Sequence, residues 1–542
     1  MSRDAFLDDE GRDPALDAAF AQAVSGIEGF EPDAEDLAAF APDEAELDPA
    51  LAEAHAEAAE RVVEELLERV GEAAPEPRLD ATRRAVELLG DVHRAYPVIH
   101  LTGTNGKTST ARIAESLLRA HGLRTGLLTS PHLEKLNERI LIDGRPISDE
   151  RLVANWEDIS PFLALVDSEL EAKGEPRLTF FEALTVLGCA CLADAPVDVA
   201  VVEVGMGGEW DSTNVMDGQV AVFTPIGLDH ADRLGSTLDA IARTKAGIIK
   251  PGAAVVSAAQ APEALAELRE RAEREGATLA VEGEGFALAS DALAVGGRLL
   301  SVRGIAGEYR DLVLPLAGHH QAQNAALAIA AVEAFFGGER PLAAEVVEQG
   351  LAEASSPGRL ERIGSEPTML IDAAHNPHGA QALAVALRDS FDFGKVALVF
   401  GVLEGKDAEG IIRALEPVTA ALVVTESESP RARRAEELAE EVRGWTAVEV
   451  YEQPDLREAL ELARELVLRD GERGAEDAAG AVLAAGSITV IGEARTIARE
   501  AGWLGQAARP TTLQVDLDDD WQPGQDDDEE AGSWSREGWD QA

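Results

Sequence analysis

Residues 98–110 read VIHLTGTNGKTST, an order of residue types that suits phosphate chemistry. Gly103 and Gly106 let backbone N–H groups approach a phosphate closely, and the helical pattern that follows puts a partial positive charge at the same place. Lys107 can reach terminal phosphate oxygens and the Thr108 hydroxyl can meet a magnesium ion, with Thr104 and Asn105 completing the loop. Counting back from Gly106, the first glycine of the common phosphate loop would fall at Leu101. Here it is Gly103, so the loop is two residues shorter. A tight strand-to-helix turn with a surface lysine is the plain alternative, and the apolar run before it and the helical pattern after it weigh against that.

A second group of residues suits a divalent cation. Glu203 closes the run VAVVEV and is followed by the glycine-rich GMGGEWDSTN, so its carboxylate would sit at the carboxyl end of a strand, where open α/β sheets bind ligands. Asp229 and His230 end the segment TPIGLDH, and Ser130 in TSPHL follows the apolar run 125–128. Magnesium takes oxygen ligands and keeps several waters, so one carboxylate, a hydroxyl and phosphate oxygens suffice. For His230 alone a hydrogen-bonded loop histidine is as good a reading, and TSPHL alone would be a capped turn. Lys245, in RTKAGIIKPG, sits among Ala, Gly and Ile. An amine buried there must be paired, deprotonated or modified, unless it snorkels from a helix end.

The elements that would position these groups alternate. VIHLT (98–102), VDVAVVEV (197–204) and VAVFTPI (220–226) read as buried strands, with helices over 109–118 and 179–193 between them. A longer helical pattern covers 50–70. A second series, TMLIDAA (368–374), KVALVFGVL (395–403), AALVVTES (420–427) and GSITVIGEA (486–494), reads as four more strands with helices between. The turn-forming ASSPG at 354–358 separates the two. The expected class is α/β, a phosphate-loop-type parallel-sheet domain followed by a smaller Rossmann-like one.

Composition narrows the partners. Among 542 residues, 101 Asp and Glu face 47 Lys and Arg, a net charge of -54, and no basic patch offers a footprint for nucleic acid. Residues 1–60 carry 18 acidic and two basic side chains; residues 513–542 carry 11 and one. Such acidic ends are expected to be poorly ordered, with Trp521, Trp534 and Trp539 solvated. Cys189 and Cys191 are too close for an unstrained disulfide, and no leader or membrane-spanning run is visible, so a cytoplasmic, membrane-free protein is expected.

Nine segments in order, TGTNGKTST, TSPHL with ERI, LTFFEA, EVGMGG with DSTN, LDH, KAGI, QAQNAALA, PGR and DAAHNPHG, make residues 61–505 resemble bacterial folylpolyglutamate synthase and its bifunctional dihydrofolate synthase form, within the Mur ligase-like amide ligases. The resemblance implies an ATP-binding central domain over 56–355 and a C-terminal ligase domain over 356–508; the acidic extensions 1–55 and 509–542 have no counterpart in the family core. It implies that Thr104, Asn105, Gly106, Lys107 and Thr108 hold ATP. Ser130, Glu203 and His230 would bind two magnesium ions, and Lys245 would be carbamylated. Asn324, Arg359 and Asp372 would reach the nucleotide from the far side as the second domain closes. His375 would stand near the glutamate and phosphate end, making Lys107, Lys245 and His375 the catalytic set. Thr179, Trp210, Asp211 and Ser212 match positions lining a pterin site. Glu209 stands where relatives often carry arginine, and Gly318-His319-His320 replaces a proline-rich lead.

The implied reaction is amide formation. A carboxylate takes the γ-phosphoryl group of ATP, and L-glutamate displaces phosphate from the acyl phosphate. The acceptor would be dihydropteroate, tetrahydrofolate or its polyglutamates, and the enzyme a monomer. Two alternatives stay open: a Mur-type ligase acting on a cell-wall nucleotide precursor, against which SPHL, LTFFEA and GGEWDSTN weigh, and an ATP-binding scaffold with acidic recruiting tails.

Overall fold

The structure is a computed structural model that describes residues 49–71, 76–229, 231–468 and 480–503. The expectations for the acidic ends up to residue 48 and from 504, for Trp521, Trp534 and Trp539, and for His230 fall outside these residues.

The first sheet contains β1 Val98–Thr102, β2 Thr125–Leu128, β3 Ile140–Ile142, β4 Arg145–Pro146, β5 Val199–Glu203, β6 Val220–Phe223, β7 Ala254–Ser257 and β8 Thr278–Val281. Its order is β4-β3-β2-β5-β1-β6-β7-β8. The strands from β2 to β8 run parallel, and β3 and β4 add an antiparallel edge. β1, β2, β5 and β6 are buried along their whole length, as a parallel sheet covered on both faces requires. Each fully buried Val, Leu or Ile there contributes roughly 1.5–3 kcal/mol. The β1–β5 register sets Leu101 beside Glu203, and β6 sets Phe223 beside Thr102, so three chain segments leave the sheet at one edge.

Helices of eight or more residues in this half are α1 Pro49–Leu67, α2 Asp80–Leu88, α3 Lys107–Ala120, α4 Asp149–Lys173, α5 Phe180–Asp194, α6 Leu238–Lys245, α7 Pro262–Arg274, α8 His319–Phe335 and α9 Ala344–Ala352. One core joins α3, α8 and α9 to the sheet, and a second joins α1, α2, α4 and α5 to it. A three-stranded antiparallel sheet, β9 Ala287–Ala294, β10 Gly297–Arg303 and β11 Glu308–Leu314, feeds Leu300, Val302, Tyr309 and Leu312 into the first core. Its residues carry few long β-branched runs, which is why the sequence did not announce it.

The remaining strands, β12 Glu361–Ser365, β13 Thr368–Asp372, β14 Lys395–Phe400, β15 Ala421–Val424, β16 Glu449–Glu452 and β17 Gly480–Ala485, form a six-stranded sheet ordered β12-β13-β17-β14-β15-β16. All but β12 run parallel. The helices α10 Pro377–Ser390, α11 Ala408–Leu415 and α12 Ala435–Val442 pack in one core with this sheet; α13 Leu456–Leu468 and α14 Ile488–Glu500 pack in another.

The strand expected over 486–494 is a correction. Those residues turn the chain and begin α14, while the strand is the preceding GAVLAA. Gly486 adopts φ +106°, the Ser487 side chain accepts from the Thr489 N–H as a helix cap, and Val490, Ile491, Ala494 and Ala498 are buried at helical spacing. β-branched letters at 488–491 pointed to a strand, whereas alanine-rich β17 owes its place to the sheet around it. Cys189 and Cys191 are buried free thiols. Among the described residues no helix is long and apolar enough to cross a membrane.

Candidate active site

The phosphate loop leaves β1 and enters α3. Glycine is needed at 103 because a side chain would collide with Thr224, and at 106 because the backbone has φ +88° and a Cβ would stand 2.6 Å from the Asn324 amide oxygen. Thr104 ties the loop to the segment after β6: its hydroxyl donates to the Gly227 carbonyl at 3.0 Å and accepts from the Gly227 N–H at 2.9 Å. Gly106 caps α3 without any side-chain hydrogen bond, so the first-turn N–H groups keep their capacity for an anion. Among the described residues the Lys107 ammonium donates a hydrogen bond only to the Thr104 carbonyl, at 3.3 Å.

Beside the loop, the Thr108 hydroxyl lies 3.0 and 2.9 Å from the two oxygens of Glu203, and the Ser130 N–H is 3.5 Å from one of them. Glu203 is buried, and desolvation raises its pKa against the charges of Lys107 and Arg359 and the Thr108 hydrogen bond. The Ser130 hydroxyl has no partner among the described residues. A buried carboxylate with the Thr108 hydroxyl beside it, the backbone of Ser130 adjacent and no side-chain cation paired with it among the described residues is a donor set that fits a magnesium ion. No cluster of three or more His, Cys, Asp or Glu side chains occurs among the described residues, and an ion completed by phosphate oxygens and water does not need one.

Lys245 closes α6 and is buried, its Nζ donating to the Gly103 carbonyl at 2.7 Å. Burial, and after it the charge of Lys107, push its pKa down to about 7, with Asp229 and Asp211 opposing. A substantial neutral fraction at neutral pH suits an amine that must react with carbon dioxide, so the carbamate implied by the sequence fits this position chemically. The glycines of EVGMGG admit the helix end: a Cβ at 208 would meet the Lys245 carbonyl at 2.7 Å.

The six-stranded half meets this edge. Asn105, expected to hold a ligand, sends its side chain across: its Nδ2 lies 2.8 Å from His378 Nδ1 and it exchanges amide hydrogen bonds with Asn376. Asp229 faces Lys406 at 3.6 Å, His375 at 3.8 Å and the Asn376 amide at 3.4 Å. Asp372 is buried with both oxygens engaged by backbone, the Leu360 and Ala374 N–H groups, each at 2.9 Å. It therefore shapes the turn that presents Arg359, in which Gly358 and Leu360 have φ +69° and +45°. Burial raises its pKa, countered first by Arg359. Among the described residues Arg359 itself donates only to the Gly358 carbonyl, at 3.2 Å. Asn324, held by Gln321 at 3.1 Å, abuts the loop at Gly106.

On the α5 side of Glu203 a small cavity is lined by Leu128, Thr129, Arg139, Ile140, Phe181, Leu184, Thr185, Glu203 and Thr213. Of the expected pterin-side residues, none lines it directly. The Thr179 hydroxyl caps α5 by accepting from the Glu182 N–H at 3.2 Å, while the Glu182 carboxylate accepts from the Thr179 N–H at 2.7 Å. Asp211 is buried and accepts from Met206 N–H, Thr213 N–H and the Thr213 hydroxyl at 2.8, 3.0 and 2.5 Å, so it builds the turn that places Thr213. Ser212 is buried beside it, and Trp210 packs with the α6 core. Arg139 is buried, with Nε donating to His132 Nδ1 at 2.7 Å and its guanidinium 5.3 Å from the Phe180 ring centre. Burial and Arg139 hold the His132 pKa down at about 3, so that ring is neutral. Sequence reasoning passed over Phe181, Thr185, Thr213, Lys406, Asn376 and His378 as site residues. Arg139 and Phe181 lay inside quoted motifs, whereas a loop lysine such as Lys406 carries no local signal.

The Mur ligase middle domain matches residues 101–332, and the Mur ligase glutamate ligase domain matches 358–488. A dihydrofolate synthase/folylpolyglutamate synthase of Mycobacterium tuberculosis is 46% identical over 456 residues, covering 80% of this chain and 93% of the relative. The Bacillus subtilis dihydrofolate synthase/folylpolyglutamate synthase is 35% identical over 367 residues, 67% of this chain and 84% of that protein. Among solved structures, the Mycobacterium tuberculosis folylpolyglutamate synthase complexed with ADP aligns with a TM-score of 0.79 at 44% identity, over 82% of this chain and 99% of that one. Escherichia coli FolC in complex with DHPP and ADP aligns with a TM-score of 0.67 at 29% identity, over 79% and 94%.

Proposed function

Because the chain belongs to the dihydrofolate synthase/folylpolyglutamate synthase family of Mur ligase-like enzymes, we propose that it joins L-glutamate to a pteroate or folate carboxylate at the expense of ATP. The observation that carries this reading is the junction of Gly103, Thr108, Glu203 and Lys245 at one sheet edge, with Asn376 and Arg359 from the other half beside it.

In this reading the uncapped first turn of α3 and Lys107 receive the β- and γ-phosphates, and Asn324 and Arg359 approach the nucleotide from across the loop. Thr108, Glu203, Ser130 and His230 would hold magnesium, which supplies charge neutralisation at the transferring phosphoryl group. An acceptor carboxylate oxygen attacks the γ-phosphorus, the bond to the ADP oxygen breaks, and an acyl phosphate forms. The amine of glutamate then attacks the acyl carbon, and phosphate leaves with the bonding electron pair as the amine gives up its proton. Asp229, His375 and Lys406, grouped at the boundary of the two halves, would meet the amino acid in this reading. The acyl phosphate must be kept from water, and the contacts of Asn105 with Asn376 and His378 join the two halves at the edge where it would form.

The division of the chain at about residue 355, the pterin-side role of Trp210, Asp211, Ser212 and Thr179 through the turns they build, a carbamate on Lys245, a monomeric state and a cytoplasmic location belong to the same reading. The test is ADP and phosphate release with magnesium, ATP and L-glutamate, comparing dihydropteroate, tetrahydrofolate and a UDP-muramoyl acceptor, with Lys107→Ala as the blank. Turnover with both pteridines establishes the bifunctional form, and turnover with tetrahydrofolate alone narrows it to polyglutamylation. Turnover only with the muramoyl acceptor would sink the folate assignment.

A further inference from the structure

The loop from Thr129 to Arg139 carries Ser130 toward Glu203 and is built as one rigid piece. Its base is closed by the Thr129 N–H donating to the Arg139 carbonyl at 2.9 Å. Its interior is organised by Glu138, whose carboxylate accepts from the N–H groups of Leu133, Glu134 and Lys135 at 2.8, 3.2 and 3.2 Å. A displacement of its tip therefore carries through to its base.

That tip is fastened to the other half of the molecule. The Glu134 carboxylate accepts from the Thr496 hydroxyl at 2.7 Å and pairs with Arg499 at 2.9 Å and Arg495 at 3.2 Å, all on α14. Burial alone would raise the Glu134 pKa, and these three partners hold it below the ordinary value. Arg495 also pairs with Glu361 at 2.9 Å, and Glu361 accepts from the Gly358 N–H at 2.7 Å, so the charge chain runs on to the connection between the two sheets. Backbone shape matches this: Gly492 lies so close to the Leu133 carbonyl that no side chain fits there, and a Cβ on Gly358 would meet the Leu133 side chain at 3.0 Å.

We propose that Glu134 is a positioning residue that locks the Ser130 loop to α14, so that Ser130 takes its place beside Glu203 only when the six-stranded half is docked. The loop then senses docking, and the phosphoryl-binding edge stays incomplete in the open molecule. Glu134 touches no reacting group in this scheme; it acts through Ser130. The proposal rests on the ligase reading above for what the completed edge does, and on the geometry alone for the docking.

The full chain with Glu134→Arg, Arg499→Glu, the double exchange and Glu134→Gln tests it. Two readouts are taken: small-angle scattering of the ADP-bound protein, and steady-state kinetics split into kcat/KM for the acceptor, apparent magnesium affinity and ADP affinity. Arg499 is exposed, so reversing its charge leaves the core untouched. Expected for Glu134→Arg are a more extended particle and about a tenfold lower kcat/KM and magnesium affinity, with ADP affinity within about twofold, because like charges then face one another across the boundary. The double exchange restores most of both changes, as a direct pair requires. Glu134→Gln, which keeps the contact with Thr496 and loses both ion pairs, shifts the same parameters by a smaller factor and stands in if the arginine variant does not fold. Unchanged scattering and magnesium dependence in Glu134→Arg, or a double exchange no closer to wild type than that single variant, overturns the proposal. A wild-type chain that ligates no acceptor sinks the ligase reading instead, and the scattering comparison still decides the clasp.

Discussion

Asn105 and Asn376, 271 positions apart, exchange side-chain amide hydrogen bonds at 3.1 and 3.4 Å, so the phosphate loop of one half is held to the first residue before α10 in the other. Asn376 does a second job: its Oδ1 accepts from the Gly379 N–H at 2.8 Å and caps α10. Asn105→Ala removes the contacts with Asn376 and His378, whereas Asn376→Ala leaves the Asn105–His378 contact and removes the contact with Asn105, the 3.4 Å contact with Asp229 and the cap. The cap contributes about 0.5–2 kcal/mol, so denaturant titration should find Asn376→Ala the less stable by that amount. Both variants should lower kcat/KM by about tenfold through looser positioning. Equal stabilities would show that the cap contributes nothing.

Among the described residues Lys107 makes one long hydrogen bond, to the Thr104 carbonyl, and belongs to no hydrophobic core. Lys107→Ala should therefore melt like wild type without nucleotide, yet release phosphate about 10²–10³-fold more slowly, the loss expected for one electrostatic donor at a transition state. A large drop in melting temperature would assign the lysine to the fold instead.

Lys245 gives a pH signature. Its folded pKa of about 7 lies below the ordinary 10.5, so below pH 7 both folded and unfolded chains bind the proton and the folded state bears the full penalty of burying a charge. Between about 7 and 10.5 the unfolded chain binds more protons, and stability should rise with pH by up to about 1.4 kcal/mol per unit from this group. Lys245→Met should flatten that part of the curve. A carbamate on the wild-type lysine is checked separately with ¹³C-bicarbonate, which should give a carbamate NMR signal absent from the variant.

Glu203 has the opposite sign. As an acid with a raised folded pKa, it contributes stability at pH values below the unfolded pKa, and this is lost as pH rises through the folded value. Near neutrality Glu203→Gln should accordingly be no less stable than wild type in the absence of metal. Magnesium added to the ATP-bound protein should raise the melting temperature of wild type further and add little to that of the variant, since only a ligand bound to the folded state stabilises it. An equal rise in both would remove Glu203 from the metal site.

Much of this architecture was legible because buried parallel strands write long apolar runs: β1, β5, β6, β13 and β14 fall within the segments read as strands. The phosphate loop and Glu203 were legible because each sits at the end of such a run. What escaped has a common cause, which is that tertiary surroundings decided it. β17 is alanine-rich and is a strand because β13 and β14 flank it; 488–491 is β-branched and is helical because Ser487 caps it. The protein groups that the side chains of Asn105, Thr179 and Asp372 engage are likewise revealed by no spacing rule. Lys406 is drawn toward Asp229 only by the meeting of the two halves.

The place of β17 bears on how the polypeptide is made. It is the last strand in the described chain, yet it lies between β13 and β14, pairing Ala481 with Thr368 on one side and with Val396 on the other. A ribosome delivers β13 to β16 first, and until residue 485 has emerged the two inner edges have no central partner. The nascent C-terminal half is thus two ribbons waiting for a keystone, with apolar edges open to mispairing throughout that interval. Translation that stalls or stops before Gly480 would leave a product with a finished phosphate-binding half and an unzipped partner, the kind of chain that cellular quality control is equipped to find.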